Sequence, residues 1–168
     1  MAPVLITGAN KGIGLQLTRL YAEAGNKVIA CCRNPNDADD LKALGCDIKI
    51  KQVVVGDDSS VAALGSGLSG VPIDILVNNA GTVGPAMDKQ TLATMDSAGG
   101  LDAFNVNSIG PVRVTQSLLE NLRAADCAKV MTVTSQYGAI GRYASGLRLQ
   151  HLQSSGEQIY ENGRAGAG

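Results

Sequence analysis

Three glycines set against an apolar run are the residues in this chain whose types and spacing most clearly could do chemistry. Gly8, Gly12 and Gly14 follow the run Val4–Ile6 and precede an amphipathic stretch carrying Leu15, Leu17, Leu20 and Tyr21. The order is strand, glycine-rich turn, helix. In such a unit one glycine lets the chain turn with positive φ. Another leaves no side chain between backbone and ligand, and the last lets the helix lie close to the sheet. The free N–H groups of the helix start then face the ligand and favour an anion such as a pyrophosphate. Glycine spacing alone is a weak signal, because such turns are common. Here a second apolar run, Val28–Cys32, follows the helix at the distance that a dinucleotide-binding βαβ unit requires.

The elements that must position this turn alternate regularly. Strands are expected at Val4–Thr7, Val28–Cys32, Ile48–Val55, Ile73–Val77 and Lys129–Thr134. Helices are expected at Ile13–Ala24, Asp37–Leu44, from an Asp57-Asp58-Ser59 cap to about Leu68, and over Leu101–Ala125 with an interruption at Gly110-Pro111. Residues 82–100 are polar and Gly-rich, with no clear period. Five strands alternating with helices predict an α/β fold, a Rossmann-like doubly wound parallel sheet with right-handed crossovers. Ligands in such sheets bind beyond the strand C-termini. Thr7 and Gly8, Arg33, Asn79 and Ser135 each stand at such an end.

Composition narrows the classes. The chain has 168 residues, 45% apolar, with 21 glycines, one Phe and no Trp, which suits closely packed βαβ units. A net charge of −1 gives no general attraction to nucleic acid or to an anionic membrane. No apolar run is long enough to span a bilayer, and the chain starts directly with a strand, so neither membrane nor signal peptide is expected. Cys31, Cys32, Cys46 and Cys127 form no CxxC pair and no metal spacing, which predicts reduced thiols, no metal site and a cytoplasmic protein.

Taken together the motifs resemble the short-chain dehydrogenase/reductase family. Thr7-Gly8-Ala9-Asn10-Lys11-Gly12-Ile13-Gly14 matches its cofactor signature, and Asn78-Asn79-Ala80-Gly81 its fourth-strand motif. Asn105-Val106-Asn107 matches its central helix, with Asn107 in the place of the catalytic Asn. Val133-Thr134-Ser135-Gln136-Tyr137-Gly138 matches the strand that carries the catalytic Ser, here Ser135. The resemblance implies NAD(P)(H) binding through residues 7–14 and 79–81, and hydride transfer between a nicotinamide and a carbonyl or alcohol substrate.

Charge at the second strand's end selects between the two nicotinamides. A carboxylate there would bind the ribose hydroxyls of NAD and repel a 2′-phosphate. The sequence has Cys31-Cys32-Arg33 instead, and Arg33 suits a bidentate pair with phosphate. Lys11 in the glycine turn adds a second cation. Two cations and no acid favour NADP(H) over NAD. The acid that many relatives carry near Val54-Val55 is absent, and Asp57 aligns with the acid opening the next helix.

The resemblance breaks after Ser135. Family chemistry needs a Tyr-x-x-x-Lys pair, in which the Tyr exchanges a proton with the substrate oxygen and the Lys lowers the Tyr pKa, while the Ser hydroxyl holds that oxygen. Tyr143 is followed at the fourth place by Leu147, and no Tyr in the chain has a Lys there. Permitted codons for residues 147–168, read one base later, give Tyr-Ala-Tyr-Ser-Thr-Ser-Lys and then an amphipathic helix, with the missing Tyr over the Leu149 and Gln150 codons. The expected organisation is therefore a nucleotide-binding domain over residues 1–146 and an aberrant, frameshifted tail over 147–168, with the later strands missing. His151 lies in that tail and carries no catalytic expectation. The family pairs two long helices across a subunit interface; only the first is written here, which puts a homo-oligomer in doubt. The alternative to an active reductase is a nucleotide-binding remnant without turnover.

Overall fold

The structure is a computed structural model and describes residues 3–45 and 47–135. Cys46, Tyr137, Tyr143, His151 and the whole 147–168 tail lie outside the described residues. The described residues fall into two compact units, one running to Ala80 and resuming over Pro111–Val133, the other Gly81–Gly110 with Thr134 and Ser135.

The first unit holds a five-stranded parallel sheet in the order β3-β2-β1-β4-β5, with β1 Pro3–Thr7, β2 Lys27–Cys32, β3 Ile48–Gln52, β4 Ile75–Asn78 and β5 Lys129–Thr132. This is the Rossmann-like doubly wound fold expected from the alternating pattern. Helices α1 (Gly12–Glu23), α2 (Asp39–Lys42), α3 (Asp58–Ser66), α5 (Gly110–Ser117) and α6 (Leu119–Arg123) connect the strands. Val4, Ile6, Val28, Ala30 and Val77 form one core with Leu15 of α1 and Leu41 of α2. The alternate residues Leu5, Ile29 and Leu76 are also buried, on the opposite face, as are Val61 and Leu64 of α3 and Val114 of α5. A strand covered on both faces reads as a continuous apolar run, which is why these strands were visible in the sequence.

Several boundaries moved. β3 ends at Gln52, short of Val55, because Val54 and Val55 turn toward α3: the Ser60 hydroxyl accepts from the Val54 N–H at 2.8 Å. β4 spans Ile75–Asn78, since Ile73 donates its N–H to the carbonyl of Asn121 in α6 at 3.0 Å and so bonds to a helix instead of the ladder. The expected second helix splits into a 3₁₀ turn, Pro35–Asp37, and α2. No helix among the described residues is long and apolar enough to cross a membrane.

The second unit contains a 3₁₀ turn, Met87–Lys89, and helix α4, Ser97–Phe104, followed by a π-helical turn, Asn105–Ile109. The expected break at Gly110-Pro111 is absent: Gly110 keeps helical angles, and Pro111 is the second residue of α5, which continues directly from the π turn, so the N–H that Pro111 lacks is one that would have bonded back into that turn. The irregularity falls one turn earlier, in the π turn, and a further break follows at Leu118.

Candidate functional site

The turn between β1 and α1 is shaped by what its glycines lack. Gly8 has φ +64°, and a Cβ there would stand 2.9 Å from Ala80 Cα and 3.1 Å from Asn79 Nδ2. At Gly14 a Cβ would stand 2.3 Å from the Gly8 carbonyl oxygen and 2.4 Å from Asn79 Nδ2, so the first turn of α1 lies directly against the end of β1. Gly12, at φ +55°, has nothing within 4 Å of where its Cβ would be. Two glycines permit close packing and the third keeps the surface above the helix start bare, which is the division of roles a bound dinucleotide requires.

Thr7 and Asn79 clasp the turn. The Thr7 hydroxyl accepts the N–H groups of Asn79 and Ala80, both at 3.0 Å, and donates to the Val77 carbonyl at 3.4 Å. The Asn79 amide donates to the carbonyls of Thr7 at 2.9 Å and Gly8 at 3.1 Å. These side-chain groups are thus engaged in joining β1 to β4, and their contribution to a ligand is to fix the backbone it meets.

The start of α1 is open. Its N-cap is Lys11, whose side chain makes no capping bond, and the first turn carries no acid. The orphan N–H groups and the positive end of the helix dipole are left for an anion. Asn10 is half-buried, and Lys11 and Ile13 are exposed beside that start. The Ala9 N–H donates to the Cys31 carbonyl at 2.9 Å, which sets the glycine turn next to the end of β2. Arg33 follows β2 directly and is exposed. Among the described residues, no carboxylate pairs with Arg33 or Lys11.

The two cysteines before Arg33 are buried. Burial first, and then the neighbouring Cys32, push the Cys31 thiol up to about 12, so it stays protonated. Burial also raises Cys32, against the opposing pull of the Asn34 N–H and Lys42. Asp57 is the N-cap of α3, as its place in the sequence predicted, and accepts from the Ser60 N–H at 2.6 Å. The Ser59 hydroxyl and then that N–H hold its carboxyl below the usual range.

Gly81, Asn107 and Ser135 belong to the second unit. Asn107 sits in the π turn with its whole side chain occupied: Oδ1 accepts from the Thr82 N–H at 2.8 Å and Nδ2 donates to the Thr82 carbonyl at 2.9 Å. Asn107 thereby fixes the chain just beyond Gly81. Ser135 is half-buried, three residues past the end of β5. Sequence reasoning missed Thr82 as the partner of Asn107, and missed Gln52, whose amide donates to the Arg33 carbonyl at 3.1 Å. Neither pairing leaves a motif, because each joins residues well separated in the chain.

A family model described as short chain dehydrogenase matches residues 2–146. Protein FixR of Bradyrhizobium diazoefficiens is 32% identical over 142 residues, covering 81% of this chain and 51% of that protein. The 1-hydroxy-2-glutathionyl-2-methyl-3-butene dehydrogenase of a Rhodococcus species is 33% identical over 154 residues, covering 87% of this chain and 62% of that protein. Among solved structures, a carbonyl reductase from Pseudomonas aeruginosa in complex with NADP superposes with a TM-score of 0.82 at 25% identity, over 95% of this chain and 73% of that one. The chain spans about half to three-fifths of the length of these two curated relatives.

Proposed function

The chain belongs to the short-chain dehydrogenase family, a family of oxidoreductases, and from that membership we propose that it binds NADP(H) at the start of α1. The observation that carries this reading is the uncapped start of α1 beside two cations that no carboxylate pairs with among the described residues. The N–H groups of Gly12, Ile13 and Gly14 receive the pyrophosphate, and Arg33 with Lys11 receives the 2′-phosphate. NADP bound to the Pseudomonas carbonyl reductase supports the same choice. When bound, NADPH supplies a hydride, and the matching substrate class is a carbonyl or, in reverse, an alcohol. Ser135 is the residue we assign to holding the substrate oxygen, and Asn107 to fixing the backbone near it.

A second reading is favoured by one feature of the sequence. No Tyr in the chain is followed at the fourth place by Lys, so the proton-transfer pair that serves the family is not written here. On that reading the chain binds NADP(H) without turning over.

Titration of NADPH and NADH by nicotinamide fluorescence tests the binding; the chain has no Trp to interfere. NADPH is expected to bind more tightly. Arg33→Ala should weaken NADPH by about 10- to 100-fold, the range for a charged hydrogen bond, and NADH little. Equal losses for both nucleotides remove the phosphate role of Arg33. Carbonyl reduction assayed on the same protein separates the two readings: binding with turnover supports the reductase, and binding without it supports the remnant.

A further inference from the structure

We infer that Gln52 is a specificity-positioning residue: it aims Arg33 at the 2′-phosphate of the nucleotide, an inference that rests on the NADP(H) reading above. Gln52 is the last residue of β3 and stands opposite Cys32 in the parallel ladder, one residue before Arg33. Its Nε2 donates to the Arg33 carbonyl at 3.1 Å. The next N–H along, that of Val53, donates to the Cys32 carbonyl at 2.9 Å. Two successive carbonyls at the end of β2 are therefore held from β3, one by backbone and one by a side chain.

The chain beyond Arg33 is held from the other side. Asn34 accepts the Asn36 N–H at 3.2 Å and donates to the Asp37 carboxylate, closing the turn that Pro35 begins. Lys42 donates to the Asn36 carbonyl at 2.7 Å. Arg33 lies between these two clamps. Pinning its carbonyl fixes the rotation about Cα–C, and with the preceding strand fixed the direction of its Cα–Cβ bond is set before any ligand arrives. An arginine whose root is fixed in advance has fewer orientations to lose when its guanidinium meets a phosphate. Gln52 is neutral, so it works through geometry alone and leaves the local charge unchanged.

NADH has no 2′-phosphate, so loss of this aim concerns NADPH only. Gln52→Met keeps the length and removes the donor. It should weaken NADPH by about three- to tenfold, the range of one ordinary hydrogen bond, and leave NADH unchanged. Gln52→Glu removes the donor and adds a carboxylate beside Arg33, and should weaken NADPH further than Gln52→Met does. Equal losses for NADPH and NADH in Gln52→Met would show a general structural role and overturn the inference, as would no loss at all. Arg33→Ala, titrated alongside, keeps the two levels apart. If Arg33→Ala discriminates between the nucleotides and Gln52→Met does not, only the role of Gln52 fails. If Arg33→Ala does not discriminate, or the unaltered chain binds neither nucleotide, the NADP(H) reading fails and the role of Gln52 falls with it.

Discussion

Helices α1 and α3 each follow a parallel strand and start at the same end of the sheet, yet their first turns are finished in opposite ways. At α3, Asp57 caps the Ser60 N–H, the Ser59 hydroxyl donates to Asp57 at 2.6 Å, and Asp58 adds an acid that pairs with Arg113. Arg113 also donates to the Val55 carbonyl at 2.7 Å, tying the loop before α3 to α5. At α1 the cap is a lysine that caps nothing, and no acid follows. A side-chain cap contributes about 1 kcal/mol, so leaving α1 open costs roughly that much in the ligand-free chain. The same chain closes one helix start with acids and leaves the other to be completed by an anion from outside. Structure is secured at the first and recognition is prepared at the second.

The severest way to break this contrast is to fill the contact that holds α1 in place. Gly14→Ala puts a Cβ 2.3 Å from the Gly8 carbonyl oxygen, a backbone atom that cannot step aside as a side chain would. Either α1 shifts or the turn opens. The expected cost is about 3 kcal/mol of stability, the upper range for overpacking. NADPH binding should be abolished even in the fraction that stays folded. Thermal denaturation and nicotinamide fluorescence on the same sample check both; unchanged binding would show that the close approach of α1 is unrelated to the ligand.

A subtler change makes α1 resemble α3. Lys11→Asp removes a cation and supplies the missing cap. Two quantities should then move in opposite directions. The melting temperature rises, because the cap is worth about 0.5–2 kcal/mol. NADPH affinity falls by about a hundredfold, since the carboxylate now occupies the place of the pyrophosphate and repels it, and the 2′-phosphate loses one of its two cations. If stability and binding fall together, the open start is a packing feature and the contrast with α3 carries no functional meaning.

How much of this was legible in the sequence depends on how far each feature reaches along the chain. The glycine turn, the cap of α3 and the five strands are local, set by residues within a few positions of one another, and all are present, with β3 ending at Gln52 and β5 at Thr132, short of the expected Val55 and Thr134, and β4 starting at Ile75, two residues late. Edges are partly legible: β3 reads Ile-Lys-Ile-Lys-Gln, with lysines on one face as an edge strand should have. β5 carries Val130 and Met131 on opposite faces, 39% and 40% exposed, and is written like an interior strand although nothing among the described strands pairs beyond it. The start of α4 was hidden because Gly99 and Gly100 read as loop, whereas Asp96 caps Gly99 and gives the helix a firm first turn. The bonds of Gln52 to Arg33 and of Asn107 to Thr82 depend on register between separate segments, which no local pattern encodes.

The mildest test opens the closed start. Asp57→Ala removes the cap of α3 and should lower the melting temperature by about 2–4 °C at neutral pH, with NADPH binding unchanged. The effect must also depend on pH in one direction. The folded pKa of Asp57 is depressed below its ordinary 3.8, so its contribution is fully present above that value. It is lost as pH falls through the lower, folded value, where the carboxylate takes up a proton and accepts less well. The gap in melting temperature between the original chain and Asp57→Ala should therefore stay constant from neutral pH down to about 4 and close below it. A gap that persisted to the lowest pH would mean that Asp57 acts through packing, not as a charged cap. A loss of NADPH affinity in Asp57→Ala would mean that the two helix starts share the work of recognition, and the division drawn between them would have to be redrawn around the ligand.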